Sequence, residues 1–171
     1  MRIAIMVLVM GLSGCGAPQA SPPATPAPAT PTPAPPAEAP AGELPPTKWR
    51  ITSIDWDDAD SGDINGVRFR LSDIDAPETG NVDAAVGAAR CEAEQTRGEA
   101  ALGWIQELTR DPGTLRITNT YGYDRMRRPR LLIDLSANGV DVGRSGIEAG
   151  HLAPWPHEGA RAQAPKPDWC R

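Results

Sequence analysis

The hydrophobic rhythm of the chain changes several times, and the changes mark out its elements. Residues 49–54 (WRITSI) are rich in β-formers, residues 61–64 make a short second run, and Val67–Leu71 (VRFRL) alternates apolar with basic side chains. Asn65-Gly66 stands between the last two runs. Both residues accept the positive φ of a type I′ turn, so the pair predicts a hairpin, and three antiparallel strands open the fold. From about residue 83 to residue 110 the period becomes helical, with Gly98, Ala101, Leu102, Ile105 and Leu108 on one stripe and charged residues around it. Asp111-Pro112-Gly113 stops that helix. Strand signals return at residues 114–118 and 131–135, and Asn138-Gly139 makes another turn. A short amphipathic helix over residues 142–150 carries Ile147 and ends on a glycine. Beyond Pro156 the pattern is irregular.

Three strands, a helix, two strands and a helix, with no internal repeat, predict a mainly β fold with helices. Five short antiparallel strands with a helix between the third and fourth suit a Greek-key barrel of the OB type better than a parallel α/β sheet. Trp49, Phe69 and Trp104 read as core.

Ahead of these elements the chain has a different character. Residues 1–15 hold one charge, Arg2, then an apolar run and the small residues Ser13 and Gly14 before Cys15. The run is shorter than the roughly 20 apolar residues of a spanning helix and has the charged, apolar, small-residue order of an export signal. Leu12-Ser13-Gly14-Cys15 resembles the bacterial lipoprotein box, whose cysteine becomes the lipid-modified first residue of the mature chain. An ordinary cleaved signal with Cys15 incidental is the other reading. Both place the protein outside the cytoplasm, and the first anchors it by lipid in the cell envelope, at the outer membrane or the periplasmic face. A dozen of the 19 prolines fall in residues 18–46. Residues 16–46 therefore read as an extended Pro/Ala-rich tether, which at about 3 Å per residue reaches on the order of 90 Å. The folded domain then spans residues 47–158, followed by a tail over residues 159–171.

The formal net charge of −5 excludes a protein that coats polyanions indiscriminately, since such binding rests on Lys and Arg neutralising phosphates. Any phosphate chemistry is local. Export also bears on the three cysteines. With Cys15 taken by lipid, Cys91 and Cys170 remain as a pair in an oxidising compartment. They read either as a disulfide joining the tail to the domain or as two separate buried thiols.

The densest polar cluster is Asp57, Asp58, Asp60 and Asp63, followed across the hairpin by Arg70, Asp73, Asp75 and Glu78. Carboxylates converging from two strands offer the oxygen ligands that a hard divalent cation requires. The run from Val67 to Glu78 (VRFRLSDIDAPE) resembles the signature of the thermonuclease-like family, the staphylococcal-nuclease type, an OB-fold of Ca²⁺-dependent phosphodiesterases. Asp58-Ala59-Asp60-Ser61 is similar to the family's upstream Asp-Gly-Asp-Thr element. Residues 131–142 and 147–152 resemble its late strand and second helix.

The resemblance implies that Asp60 and Asp75 are side-chain ligands of Ca²⁺, with the Ala76 carbonyl as a backbone ligand. It makes Glu78 the residue that orients or deprotonates the attacking water, and Arg70 the grip on the phosphate. A second arginine is implied, and here the family's run is replaced by residues 121–130 (YGYDRMRRPR). Counting forward from Asp124 selects Arg128; counting back from the Asn138-Gly139 turn selects Arg130, which ranks first because strand register is kept better than loop length. Arg125 and Arg127 add to this local positive charge, and Tyr121 or Tyr123 offers a ring for a base to stack on. Ala59 stands where the family has glycine and Ser61 where it has threonine; serine keeps a hydroxyl, while alanine disfavours positive φ. His151 and His157, with Cys170 near them in sequence, read as structural rather than as a metal site. The expectation is an exported, monomeric, Ca²⁺-dependent nuclease acting on DNA or RNA. The alternative is a catalytically idle OB module that binds a partner at the envelope.

Overall fold

The computed structural model describes residues 49–171 apart from residue 84, so the expected signal, Cys15 and the tether lie outside the described residues. The chain runs β1 (Ile54–Trp56), β2 (Ser61–Ile64), β3 (Val67–Leu71), β4 (Ile74–Asp75), α1 (Glu92–Leu108), β5 (Leu115–Tyr123), β6 (Leu131–Ala137), β7 (Val140–Asp141), α2 (Val142–Glu148), β8 (Ala153–Pro154), β9 (His157–Glu158) and β10 (Arg161–Ala162). The main sheet has six strands in the order β1-β2-β3-β6-β5, with β7 paired onto β6. The architecture is mainly β with two helices, and β1 and β5 stand unpaired with each other at the two ends of the sheet.

Both Asn-Gly pairs adopt the left-handed backbone that a type I′ turn requires, with φ of 50° and 79° at Asn65 and Gly66 and 52° and 81° at Asn138 and Gly139. The strands are not all antiparallel, which corrects the sequence expectation. β3 and β6 run parallel, with Phe69 opposite Leu131 and Arg70 opposite Leu132. The chain between them crosses over through α1 and β5, long enough for a parallel return.

Residues 49–53 are not a strand either. The Thr52 and Ser53 amides donate to Asn65 Oδ1 at 2.8 and 3.1 Å, and Asn65 Nδ2 donates to the Arg50 carbonyl at 2.8 Å. One turn side chain thus takes the polar groups that a sheet partner would have used, while Ile51 still enters the core. The long helix begins at Glu92 rather than near residue 83, because Gly80 and Ala88 form a bridge and the Asp83 amide donates to the Ala89 carbonyl. Beyond Pro156 the irregular expectation gives way to a small hairpin, β9 and β10, which pairs His157 with Ala162.

The core gathers Phe69, Leu71, Leu115, Leu131, Ile133 and Leu135 from the sheet with Ala101 and Ile105 from α1. Trp56 meets Phe69 edge-on at 5.0 Å, and its indole N–H donates to Thr109 Oγ1 at 2.9 Å, tying β1 to the end of α1. Trp49 and Trp104 are half-buried against the same cluster.

Candidate active site

The site is built where β2, β3 and β4 meet. Asp58 Oδ1 accepts from the Asp60 amide, the Ser61 amide and the Ser61 hydroxyl at 3.1, 2.8 and 2.9 Å, which locks the backbone that presents Asp60. Ala59 is fully buried in this turn and is not among the residues with positive φ, so the bend does not need a glycine. Ser61 lies opposite Arg70 in the β2–β3 ladder, which brings Asp60 beside the arginine.

Arg70, which is partly buried, forms an ion pair with the buried Asp60. Arg70 Nη1 donates to Asp60 Oδ1 at 2.8 Å, and Nη2 donates to the Ile74 carbonyl at 2.8 Å while standing 3.6 Å from Asp75 Oδ1. The Ala76 amide donates to Asp60 Oδ2 at 2.9 Å. The arginine therefore staples the turn after β3 to the carboxylate before β2. That turn needs the strain of Asp73 at φ 56°, which the Trp155 amide helps hold by donating to the Asp73 carbonyl at 2.8 Å.

Asp75, on β4, is 1% exposed. Its Oδ2 accepts from the Trp169 indole at 2.8 Å, and its Oδ1 lies 3.5 Å from the Lys166 ammonium. Lys166 Nζ also donates to Glu78 Oε1 at 2.8 Å. The backbone at Glu78 is set by α1: a Cβ at Gly98 would come within 2.3 Å of the Glu78 carbonyl oxygen, so only a glycine lets the helix approach this closely.

Burial pushes the Asp60 carboxyl well above the usual range, with Arg70 working against the shift and Asp58 and Asp75 adding to it. Burial also raises Asp75, opposed by the Trp169 hydrogen bond, Lys166 and Arg70. For Lys166, burial disfavours the charge, but the hydrogen bond to Glu78 and the surrounding carboxylates outweigh it and raise its pKa.

Asp60, Arg70, Asp75, Ala76 and Glu78 are thus joined in one network, directly or through Lys166. The arginines of the loop before β6 are not part of it. Arg130 is ion-paired with Asp124 at 2.8 Å, and Arg128 is exposed, without an ion pair among the described residues. Tyr121 donates to Asp134 Oδ2 at 2.7 Å, and Tyr123 packs against the core. His151 stacks on Trp104, and His157 lies edge-on to Trp155.

Cys91 and Cys170 are joined as a disulfide, with Cα atoms 6.0 Å apart across a sequence separation of 79. Among the described residues the one tight group of metal-ligand types is Cys91, Glu94 and Cys170, and the disulfide ties up its sulfurs.

The donor chemistry of Asp60, Asp75 and the Ala76 carbonyl is all oxygen, the kind a hard divalent cation takes, although Asp60, Asp75 and Glu78 do not bring their oxygens as close together as Cys91, Glu94 and Cys170 bring their ligand atoms. Asp75 Oδ1 and Glu78 Oε1 already share one cationic group, Lys166, whereas both Asp60 oxygens are engaged by Arg70 and the Ala76 amide. Lys166, Trp169 and Trp155, whose ring lies 5.7 Å from the Arg70 guanidinium carbon, were invisible as site residues in the sequence. Cys170 was the single signal that the tail returns to the domain. No family model matches the chain, and no curated protein matches it.

Proposed function

We propose that the domain hydrolyses phosphodiester bonds of DNA or RNA with Ca²⁺, as a thermonuclease-like OB-type enzyme, monomeric and held in the cell envelope by lipid on Cys15. The observation that carries this reading is the Asp60–Arg70–Asp75 cluster with Glu78 joined to it through Lys166. The strand order β1-β2-β3-β6-β5, an open sheet, supports the OB-type reading.

In this reading Asp60, Asp75 and the Ala76 carbonyl hold the ion. When bound, Ca²⁺ polarises a phosphoryl oxygen and offsets the charge gathering on phosphorus. Glu78 orients a water and takes its proton, which a carboxylate does best when it is placed within hydrogen-bond reach of the nucleophile. Arg70 is held by its bonds to Asp60 and the Ile74 carbonyl, and in this reading the N–H groups that those bonds leave over meet phosphate oxygens as charge develops. Arg130 serves as the second clamp ahead of Arg128: it immediately precedes Leu131, which pairs with Phe69 next to Arg70. To act, it exchanges Asp124 for the phosphate.

The full chain mixed with single-stranded DNA or RNA and Ca²⁺ is expected to release fragments, and a chelator to stop it. Glu78→Gln and Arg70→Ala are expected to cut the rate on the order of 10²-fold or more. Wild-type rates in both variants would remove the assignment. One observation favours the second reading, an idle envelope-binding module: Lys166 engages Glu78 and Asp75 together. Nucleic-acid binding without Ca²⁺-dependent turnover in any variant would select it.

A further inference from the structure

The segment after β10 crosses the site and is pinned at both ends. On one side the Gln163 amide donates to the Pro156 carbonyl at 2.8 Å and the Trp155 indole donates to the Ala164 carbonyl at 3.0 Å. On the other the disulfide fixes Cys170 to the start of α1. Between these points Arg90 Nη2 donates to the Pro167 carbonyl at 3.1 Å and Arg97 Nη1 to the Trp169 carbonyl at 2.7 Å. Lys166 sits between Pro165 and Pro167, whose rings fix φ and remove two backbone donors, so the lysine is presented on a stiff stretch with no ladder of its own.

What this stretch delivers is a cation and a donor aimed at the two carboxylates. Lys166 Nζ takes Glu78 Oε1 and faces Asp75 Oδ1, and Trp169 Nε1 takes Asp75 Oδ2. Asp75 is a ligand of the proposed cation site and Glu78 its base. When all groups are ionised, Asp60, Asp75 and Glu78 face two positive side chains, Arg70 and Lys166. Withdrawing Lys166 leaves two negative charges uncompensated, the charge of one divalent ion.

We propose that the C-terminal stretch is a tethered inhibitor of the site: Lys166 and Trp169 occupy the Asp75 oxygens in competition with a divalent cation, Lys166 engages the base Glu78 at the same time, and the Cys91–Cys170 bond keeps them in place. The inference rests on the reading of Asp75 as a cation ligand and adds how access to it is controlled. The disulfide acts through local concentration. An ammonium held a few residues from a covalent anchor meets the carboxylates far more often than a free tail would, and loosening the anchor weakens it as a competitor without altering its charge.

The test is calorimetric titration of the full chain with Ca²⁺, beside Lys166→Met and the double variant Cys91→Ser/Cys170→Ser, with the NMR resonance of the Trp169 indole N–H, which donates to Asp75 Oδ2, followed in each. Ca²⁺ is expected to bind both variants at least about tenfold more tightly than the wild type, and to shift the Trp169 indole resonance of the wild type as it displaces that bond. Equal affinity in all three proteins, absence of Ca²⁺ binding from all three, or Ca²⁺ binding with that resonance unmoved would overturn the proposal. Tighter binding confined to Lys166→Met would also overturn it, since removal of a nearby charge does that without any clamp. Digestion assays on the same samples separate this from the nuclease assignment. Variants that bind Ca²⁺ more tightly yet cut nothing would sink the nuclease and leave the competition standing; cleavage with unchanged affinities would do the reverse.

Discussion

Asp60 carries the largest burden of any single residue, because it is nearly solvent-free and both its oxygens are spoken for. Replacing it with alanine leaves Arg70 without its main partner in a site that water barely reaches, and removing one member of such a pair costs about 3 kcal/mol or more. Urea denaturation of Asp60→Ala is expected to show that loss. Asp75 carries a pH signature. Its pKa is raised in the folded chain, so the native state holds the proton more tightly than the unfolded one. The stability it contributes is complete below the ordinary carboxylate pKa and is lost as pH rises through the raised value. Unfolding free energies measured from pH 4 upward should therefore fall less steeply in Asp75→Asn than in the wild type. At this scale the carboxylates, Arg70 and Glu78 could be named from the local motif. Lys166 could not, since a lysine ninety residues away in a proline-rich tail has no local pattern that says where it lands.

Elements place these residues, and α1 does so by a contact that depends on a missing methyl group. Gly98 faces the carbonyls of Pro77 and Glu78, and any Cβ there displaces backbone rather than a flexible tip. Gly98→Ala is expected to shift Glu78 and lower turnover by up to about 10²-fold, the scale of loss for a misplacement near 1 Å, while circular dichroism still reports a folded chain. Turnover at the wild-type level would show that Glu78 does not need its present placement. The sequence pattern showed Gly98 on the buried stripe of a helix but not what it faced. Strand and turn signals were legible where two residues set the geometry alone, as at Asn65-Gly66 and Asn138-Gly139. They misled at residues 49–53, where β-forming side chains are overridden by the hydrogen bonds of Asn65. They also could not reveal that β3 and β6 are parallel, because pairing direction depends on the path of the intervening chain.

For the molecule as a whole, the Cys91–Cys170 bond closes a long loop, and restricting the unfolded chain to that extent is worth about 4 kcal/mol in the loop-entropy account. Urea midpoints of the wild type and Cys91→Ser/Cys170→Ser are expected to differ accordingly; coincident midpoints would mean that the bond holds the tail without supporting the fold. The same topology dictates an order of assembly. β3 finds its inner neighbour only in β6, about sixty residues later, so a hairpin of β1, β2 and β3 made early in synthesis waits with one edge bare. Distant pairings of this kind are slow, and a bare edge invites adhesion to other chains in the interval. Cys170 follows every strand and both helices described above, so oxidation cannot seal the product until all of them have been made. The covalent step that closes this loop is then also the one that draws Lys166 across the carboxylates, and a nascent chain stalled short of Cys170 would be left with that cleft bare.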